Sequence, residues 1–426
     1  MSARDPRPRF DKNGRPLTAA EAAELLGMSA RNVRRLRAEP RSAVIEREAA
    51  CRERAAALRA EGKSYREIAD EMGVSTGTVG HLLHEHRKQS EAPRKCSSSP
   101  LQTVYGDDAL AAQVLELLPT RGVHALGIAS VTRSGSRIAT VGAPLAATFE
   151  IGSINKGITG MLYLDAIERE EVLPTTTLGE LFELQGFGAA GITLEELSQH
   201  RSGLPAQPMG MTDIARIIIR TIQARNPFDG RTLVHLVEDL RRVPIGAKEP
   251  AYSNLGFAAL GHALAAAAGM DYAELLRERI ARPLELGRFY IPAEGQAALD
   301  EQAVQGKDKN GRPQQAWTDL QYAPAGGIRT DVKSMAKVAR ALLTGLAPGA
   351  AALNPVAAFS TDGADRVGAG WMTSRIEGQT ITWHNGRTGG FSSWIGFDRE
   401  QDHALFLVGA TTLALDEIGE TLLLSS

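Results

Sequence analysis

Strict alternation of apolar and polar residues marks a strand with one buried face. In this chain the pattern comes in two groups set far apart. The early group is His124 to Thr132 and Ser136 to Val141, joined by R-S-G, a hairpin signal. The late group is Val367 to Thr373, Gln379 to His384, Phe391 to Asp398 and His403 to Ala410. Helices rich in Leu, Ile and Ala fill most of the span up to Leu346. Such a chain must leave its sheet and re-enter it, which predicts an α/β body. Asp107 to Leu118 reads as an amphipathic helix, with Leu110, Val114, Leu117 and Leu118 on one side. Asp416 to Leu424 reads as a closing helix.

The chemistry sits where the early strands give way to helix. Phe149 to Lys156 is written F-E-I-G-S-I-N-K. It sets Ser153 and Lys156 three apart at the start of an expected helix, and residues three apart share a face. The amine can then take the hydroxyl proton, without which serine is a poor nucleophile. Free N–H groups at the helix N-terminus favour the negative charge that develops there. S-x-x-K alone is a weak signal. A second copy, Ser334 and Lys337, reads as helix surface. Only Ser153 is followed, in order, by a Y-x-N (Tyr252, Ser253, Asn254) and by a basic-x-Gly leading into strands (His384, Asn385, Gly386).

Five stretches in this order carry a resemblance: F-E-I-G-S-I-N-K, I-T-L-E-E-L-S-Q-H-R-S-G-L-P, Y-S-N-L-G-F-A-A-L-G, A-P-A-G-G-I-R-T and H-N-G-R-T-G-G-F-S-S-W. Together the body is similar to the serine β-lactamase and penicillin-binding-protein superfamily, nearest the class C β-lactamases, D-alanyl-D-alanine carboxypeptidases, D-aminopeptidases and related esterases. The resemblance covers nearly all of residues 104–426. It implies a β-lactamase/transpeptidase-like α/β (α+β) fold with an antiparallel sheet and an inserted helical subdomain. It also implies roles. Ser153 is the acylated nucleophile and Lys156 its base or part of a proton relay. Tyr252 passes a proton to the leaving group and activates the deacylating water. A phenol doing so needs nearby positive charge, with Lys156 and His384 as the candidates. Asn254 bonds Lys156 or a substrate amide. The backbone N–H groups of Ser153 and Arg387 form the oxyanion hole. His384, Asn385 and Gly386 bind substrate, and Gly386, Gly389 and Gly390 suit a strand edge that a substrate approaches closely. No cofactor and no metal is needed.

His384 departs from the β-lactamase pattern, which has lysine there. Histidine is cationic only part of the time near neutral pH. That shifts the expectation from β-lactam hydrolysis towards an esterase, or an amidase or peptidase acting on D-amino acids, with an ester or small amide or D-peptide as substrate. Lys309-Asn310-Gly311 matches K-x-G better, but its surroundings are turn-like and lack alternation.

The front of the chain is different in charge. Residues 1–100 hold 20 Lys+Arg against 14 Asp+Glu, and the remainder 28 against 36. Opposite balances suggest different partners. Two segments fit a helix-turn-helix pattern. In Ala19 to Ala38, Ala23 lets helices cross and Gly27 makes the turn; in Tyr65 to His84 the counterparts are Ala69 and Gly73, with Ile68, Met72, Val74, Val79 and Leu82 for packing. Ser29 and Ser75 stand where second-helix N-caps are needed. Arg31, Arg34, Arg35 and Arg37, and in the second module Thr76, Thr78 and His81, would face DNA. The alternative is a pair of helical hairpins with solvated arginine faces. The whole reads as multidomain: an all-α tandem helix-turn-helix region over 1–88 with modules at about 19–38 and 65–84, a linker over 89–103, and the hydrolase body. Cys51 and Cys96 indicate neither a disulfide framework nor a metal site. No apolar run approaches a membrane span, and the N-terminus has no secretory pattern, so the expected place is the cytoplasm. Two functions compete: a serine hydrolase fused to a region binding double-stranded DNA, or a transcriptional regulator whose body senses a ligand or its own acylation.

Overall fold

The computed structural model describes residues 51, 54–59, 63–80, 82–83, 101, 103–207, 210–293, 299–360 and 362–425. The chain divides into two units, Met1–Ser97 and Ser98–Ser426.

In the first unit the helix Tyr65–Met72 opens on a capping box. Ser64 Oγ accepts from the Glu67 N–H, and the Glu67 carboxylate accepts from the Ser64 N–H. Gly73 closes it in the left-handed conformation, φ 65°, as the turn glycine must. Ser75 Oγ then accepts from the Thr78 N–H at 3.0 Å and starts the second helix. Ala55, Leu58, Ile68, Ala69, Val79 and Leu83 form the core. One expectation fails: Val74 is 37% exposed, because it sits in the turn and Leu83 takes the packing place. The first module, with Arg31, Arg34, Arg35 and Arg37, lies outside the described residues, as does His81.

In the second unit β1 (Val104–Gly106), β2 (Leu126–Val131) and β3 (Ser136–Val141) join six late strands in one nine-stranded sheet of order β1-β3-β2-β12-β11-β10-β9-β8-β7. The late strands are β7 (Ala357–Ala358), β8 (Arg366–Val367), β9 (Met372–Ile376), β10 (Gln379–Arg387), β11 (Ser392–Asp398) and β12 (His403–Gly409). Every pairing is antiparallel. Period-two alternation splits the core in two. Leu126 and Ile128 of β2, with Leu405 and Leu407 of β12, face helices α1 (Asp108–Leu117) and α7 (Asp416–Leu424). Ala129, Val131, Phe406 and Val408 face the larger helical layer. Both faces are therefore covered, and all seven residues of β11 and of β12 are buried.

That layer holds α2 (Ile154–Glu168), α3 (Met211–Ile222), α4 (Leu233–Arg242), α5 (Asn254–Ala267) and α6 (Val332–Thr344), inserted between the early and late strands. A small sheet, β4 (Phe149–Glu150), β6 (Arg329–Thr330) and β5 (Phe289–Tyr290), anchors the approach to α2. The Glu150 carboxylate is buried there against Arg329 at 3.1 Å. α2 can run through the middle because Gly157 and Gly160 leave room. A Cβ on Gly157 would come within 2.3 Å of the Trp371 ring, whose N–H donates to the Gly157 carbonyl at 3.1 Å.

Two strand expectations change. Val367 to Thr373 is not one strand, because Gly368 and Gly370 (φ +74°) carry the chain over α2 before β9 begins. Gln379 to His384 runs on to Arg387, since β11 supplies partners as far as Ser392. Ser334 is not helix surface either: it is 1% exposed in the first turn of α6, where its N–H is capped by Asp331. Lys337 donates instead to the Glu285 carbonyl.

Candidate active site

β4 hands the chain to Ile151 and Gly152, and Gly152 turns it with φ +52°. Ser153 follows at the head of α2. A Cβ on Gly152 would lie 2.6 Å from the Arg387 nitrogen, so the glycine lets the end of β10 come alongside. Ser153 and Arg387 line one cavity.

Lys156 is one turn on and fully buried. Its Nζ lies 2.9 Å from Ser153 Oγ and donates to the Ala325 carbonyl at 2.7 Å. Burial pulls the amine well below the usual lysine range, towards the neutral form a base requires. Asn254 does not hold it; Asn254 opens α5 and lines the cavity beside Ser153.

The Tyr252 ring centre is 4.9 Å from Lys156 Nζ. Desolvation of its hydroxyl pushes the phenol up and the nearby Ser153 opposes this only in part, so Tyr252 is neutral. The positive charge expected beside it is weakened. Lys156 is itself pulled down, and burial, aided by Lys156, brings His384 down to about 3. The His384 Nδ1 meets the Asn385 carbonyl at 2.5 Å, while buried Nε2 has no partner among the described residues. The neutral ring thus offers an acceptor, with its centroid 6.3 Å from that of Tyr252.

Asn385 is not brought to the site. It lies on the other face of β10 from His384 and donates to Asp416 Oδ1. The Arg387 side chain also leaves, to within 3.6 Å of Asp416 Oδ2. Gly386 packs against the turn before Ser153: a Cβ there would fall 2.0 Å from the Ile151 carbonyl oxygen. Gly389 and Gly390 similarly admit Trp317 and the backbone of Gly306. Lys309 sits in a turn closed by Asp308, whose carboxylate accepts from the Asn310 and Arg312 N–H groups. In the first unit Thr76 and Thr78 are exposed.

Two parts of the site are absent from the sequence reading. The first is His200, within H-R-S-G-L-P. Its carbonyl accepts from the Ala251 N–H at 2.9 Å and its Nδ1 from the Ser253 N–H at 3.1 Å. The ring stacks 4.7 Å from Tyr252, so one buried residue clamps the tyrosine on three sides. The second is the short helix Ala323–Gly326 of A-P-A-G-G. Asn155, Thr159 and Lys156 of α2 donate to the carbonyls of Ala323, Pro324 and Ala325 in turn, each at 2.7 Å. The motif letters were visible, but nothing in them says that carbonyls are the contact.

With this geometry in view, the comparisons are specific. The beta-lactamase family model matches residues 122–416. The chain belongs to the beta-lactamase family. A helix-turn-helix domain model matches residues 51–86. Among curated proteins, the unguisins hydrolase ungD' of Aspergillus campestris is 25% identical over 253 residues, covering 54% of this chain and 45% of that one. The chain therefore spans under half the length of that relative. Among solved structures, a class C beta lactamase from Rhodobacter sphaeroides aligns at TM-score 0.61 and 18% identity, over 75% of this chain and 99% of its own. D-alanine carboxypeptidase AmpC from Burkholderia cenocepacia aligns at 0.59 and 20%, over 74% and 95%. These likenesses establish the fold, an antiparallel sheet with a helical insertion. Among the described residues no helix is long and apolar enough to cross a membrane, and no His/Cys/Asp/Glu cluster fits a metal.

Proposed function

We propose that this beta-lactamase family member is a serine hydrolase working through an acyl-enzyme on Ser153, with an ester, small amide or D-peptide as substrate. The observation that carries the reading is the desolvated Lys156 amine 2.9 Å from Ser153 Oγ. The neutral amine takes the hydroxyl proton as Oγ attacks the carbonyl. The Ser153 and Arg387 N–H groups receive the oxyanion. Tyr252, neutral and beside Lys156, gives a proton to the leaving group and recovers one from water in deacylation. His384 Nε2 and Asn254 orient the substrate, His384 as an acceptor. A neutral imidazole there suits a substrate without a carboxylate better than a β-lactam. The fungal relative, named as a hydrolase, points the same way.

We also propose that the helix-turn-helix region binds double-stranded DNA, with Thr76 and Thr78 on its second helix, which would place the enzyme in the cytoplasm. A second reading, a regulator that uses acylation as its signal, is favoured by that same fusion. Exposing the full chain to p-nitrophenyl esters separates the two. Steady release with a transient acyl mass on Ser153 supports the hydrolase; one burst with a persistent adduct supports the sensor; no adduct on Ser153 removes both.

A further inference from the structure

The cavity beside Ser153 has a wall that acyl transfer does not use. Phe228 packs 4.5 Å from Tyr322 and 5.7 Å from Trp317 between ring centroids. Asp319 sits among them, 6% exposed, and lines the same cavity as Ser153. One carboxylate oxygen accepts from the Tyr322 N–H at 3.0 Å, the other from Asn226 Nδ2 at 3.3 Å. Among the described residues no cationic side chain comes within ion-pair distance. Arg231, which acts on Asp319 from further off, is already tied to Asp239 and Gln321. The Tyr322 phenol is buried without a partner among the described residues.

A buried carboxylate is costly unless something pairs with it. Burial does push Asp319 up, to about 6, yet that leaves it mostly ionised at neutral pH. A carboxylate that shares a cavity with three aromatic side chains is what a small cation seeks. Lys156 and Tyr252, which move the leaving-group proton, do not line this cavity. The leaving group departs on their side, so the aromatic side is left for the half that stays on Ser153.

Resting on the acyl-enzyme reading above, we propose that Asp319, with Phe228, Trp317 and Tyr322, selects an acyl group carrying a protonated amine: the substrate is an amino-acyl ester or amide. Ser153 Oγ forms the new bond to the acyl carbon and the bond to the leaving group breaks. The serine proton reaches the leaving group through Lys156 and Tyr252. Water then releases the amino acid and restores the serine, and the ammonium only binds.

The test compares kcat/KM for phenyl alaninate, in both configurations, with that for its desamino analogue phenyl propionate, using the full chain. The Asp319→Asn change should lower the alaninate-to-propionate ratio at least tenfold. An unchanged ratio, with both esters slowed alike, overturns the proposal and leaves Asp319 a structural residue. If the variant does not fold, two readouts remain. Phe228→Leu should lower the ratio severalfold, and in the wild-type protein isopropylammonium should compete with phenyl propionate while 2-propanol should not; an unmoved ratio or equal competition overturns it. Failure of the acyl-enzyme reading looks different, since then neither ester leaves its acyl mass on Ser153.

Discussion

Lys156 is where sequence and environment meet. S-x-x-K spacing told that the amine reaches Ser153, but a second S-x-x-K at Ser334 has the same letters and a buried serine with no such partner. What separates them is the carbonyl of Ala325 and complete desolvation, both contributed by distant chain. Ser153→Ala and Lys156→Ala should each cut turnover of a p-nitrophenyl ester by about 10³ or more, measured at saturation. Lys156 also has a stability signature. Held well below its usual range in the fold but protonated in the unfolded chain below about 10.5, it makes the unfolded state bind the extra proton between those two values, so its burial costs more as pH falls through that window. A Lys156→Met variant should gain on the wild type as pH drops from about 10.5 towards the lowered folded value, by up to about 1.4 kcal/mol per pH unit, read by denaturant melts. A gap independent of pH would mean the amine stays charged. His384 behaves otherwise than its sequence suggested. Held near 3, it should contribute no limb to the pH–rate profile of an uncharged ester between 5 and 8. A limb near 6.5 that vanishes in His384→Asn would contradict this. His200 was unreadable because its work is done through backbone groups. His200→Ala should lower kcat about tenfold or more with KM little changed, and His200→Asn, which keeps an acceptor for the Ser253 N–H, should recover part of it.

At the scale of elements, α1 and α7 were legible because their apolar residues follow the helical period with one buried face, while β2, β3, β11 and β12 showed as short apolar runs, and β11 and β12 are buried on both faces. The stretch around Trp371 was not, since its apolar residues pack on α2 rather than on the next strand. The end of β10 was legible only as far as His384. Beyond it the residues are N-G-R, poor strand formers, kept in the sheet by β11. Gly386 is the tightest point of that arrangement. Gly386→Ala would drive a Cβ against the Ile151 carbonyl and part β10 from the nucleophile turn. The expected loss is about 2 kcal/mol or more in thermal or chemical unfolding, with oxyanion stabilisation lost alongside it. The same change at Gly378, which meets nothing within 4 Å but has φ +89°, should cost strain without touching activity.

The whole molecule joins two units of opposite charge balance, and the first hundred residues hold its surplus of arginine and lysine. If they hold DNA through phosphates, affinity for a duplex probe should fall steeply between 50 and 200 mM salt, and Arg34→Ala with Arg35→Ala should weaken it about uniformly across sequences. A full chain that shifts no probe at low salt would leave the front without that role. The covering of the large sheet has a consequence for timing. Its outer face is closed by α1 and α7, one from each end of the body, and Arg387, the proposed oxyanion donor, lies on a late strand. While the ribosome is still making residues beyond Lys156, that lysine is in water, charged, and useless to its serine. On the proposed mechanism the nascent chain is therefore chemically silent, and Ser153 gains its working base only once the late strands have joined the sheet.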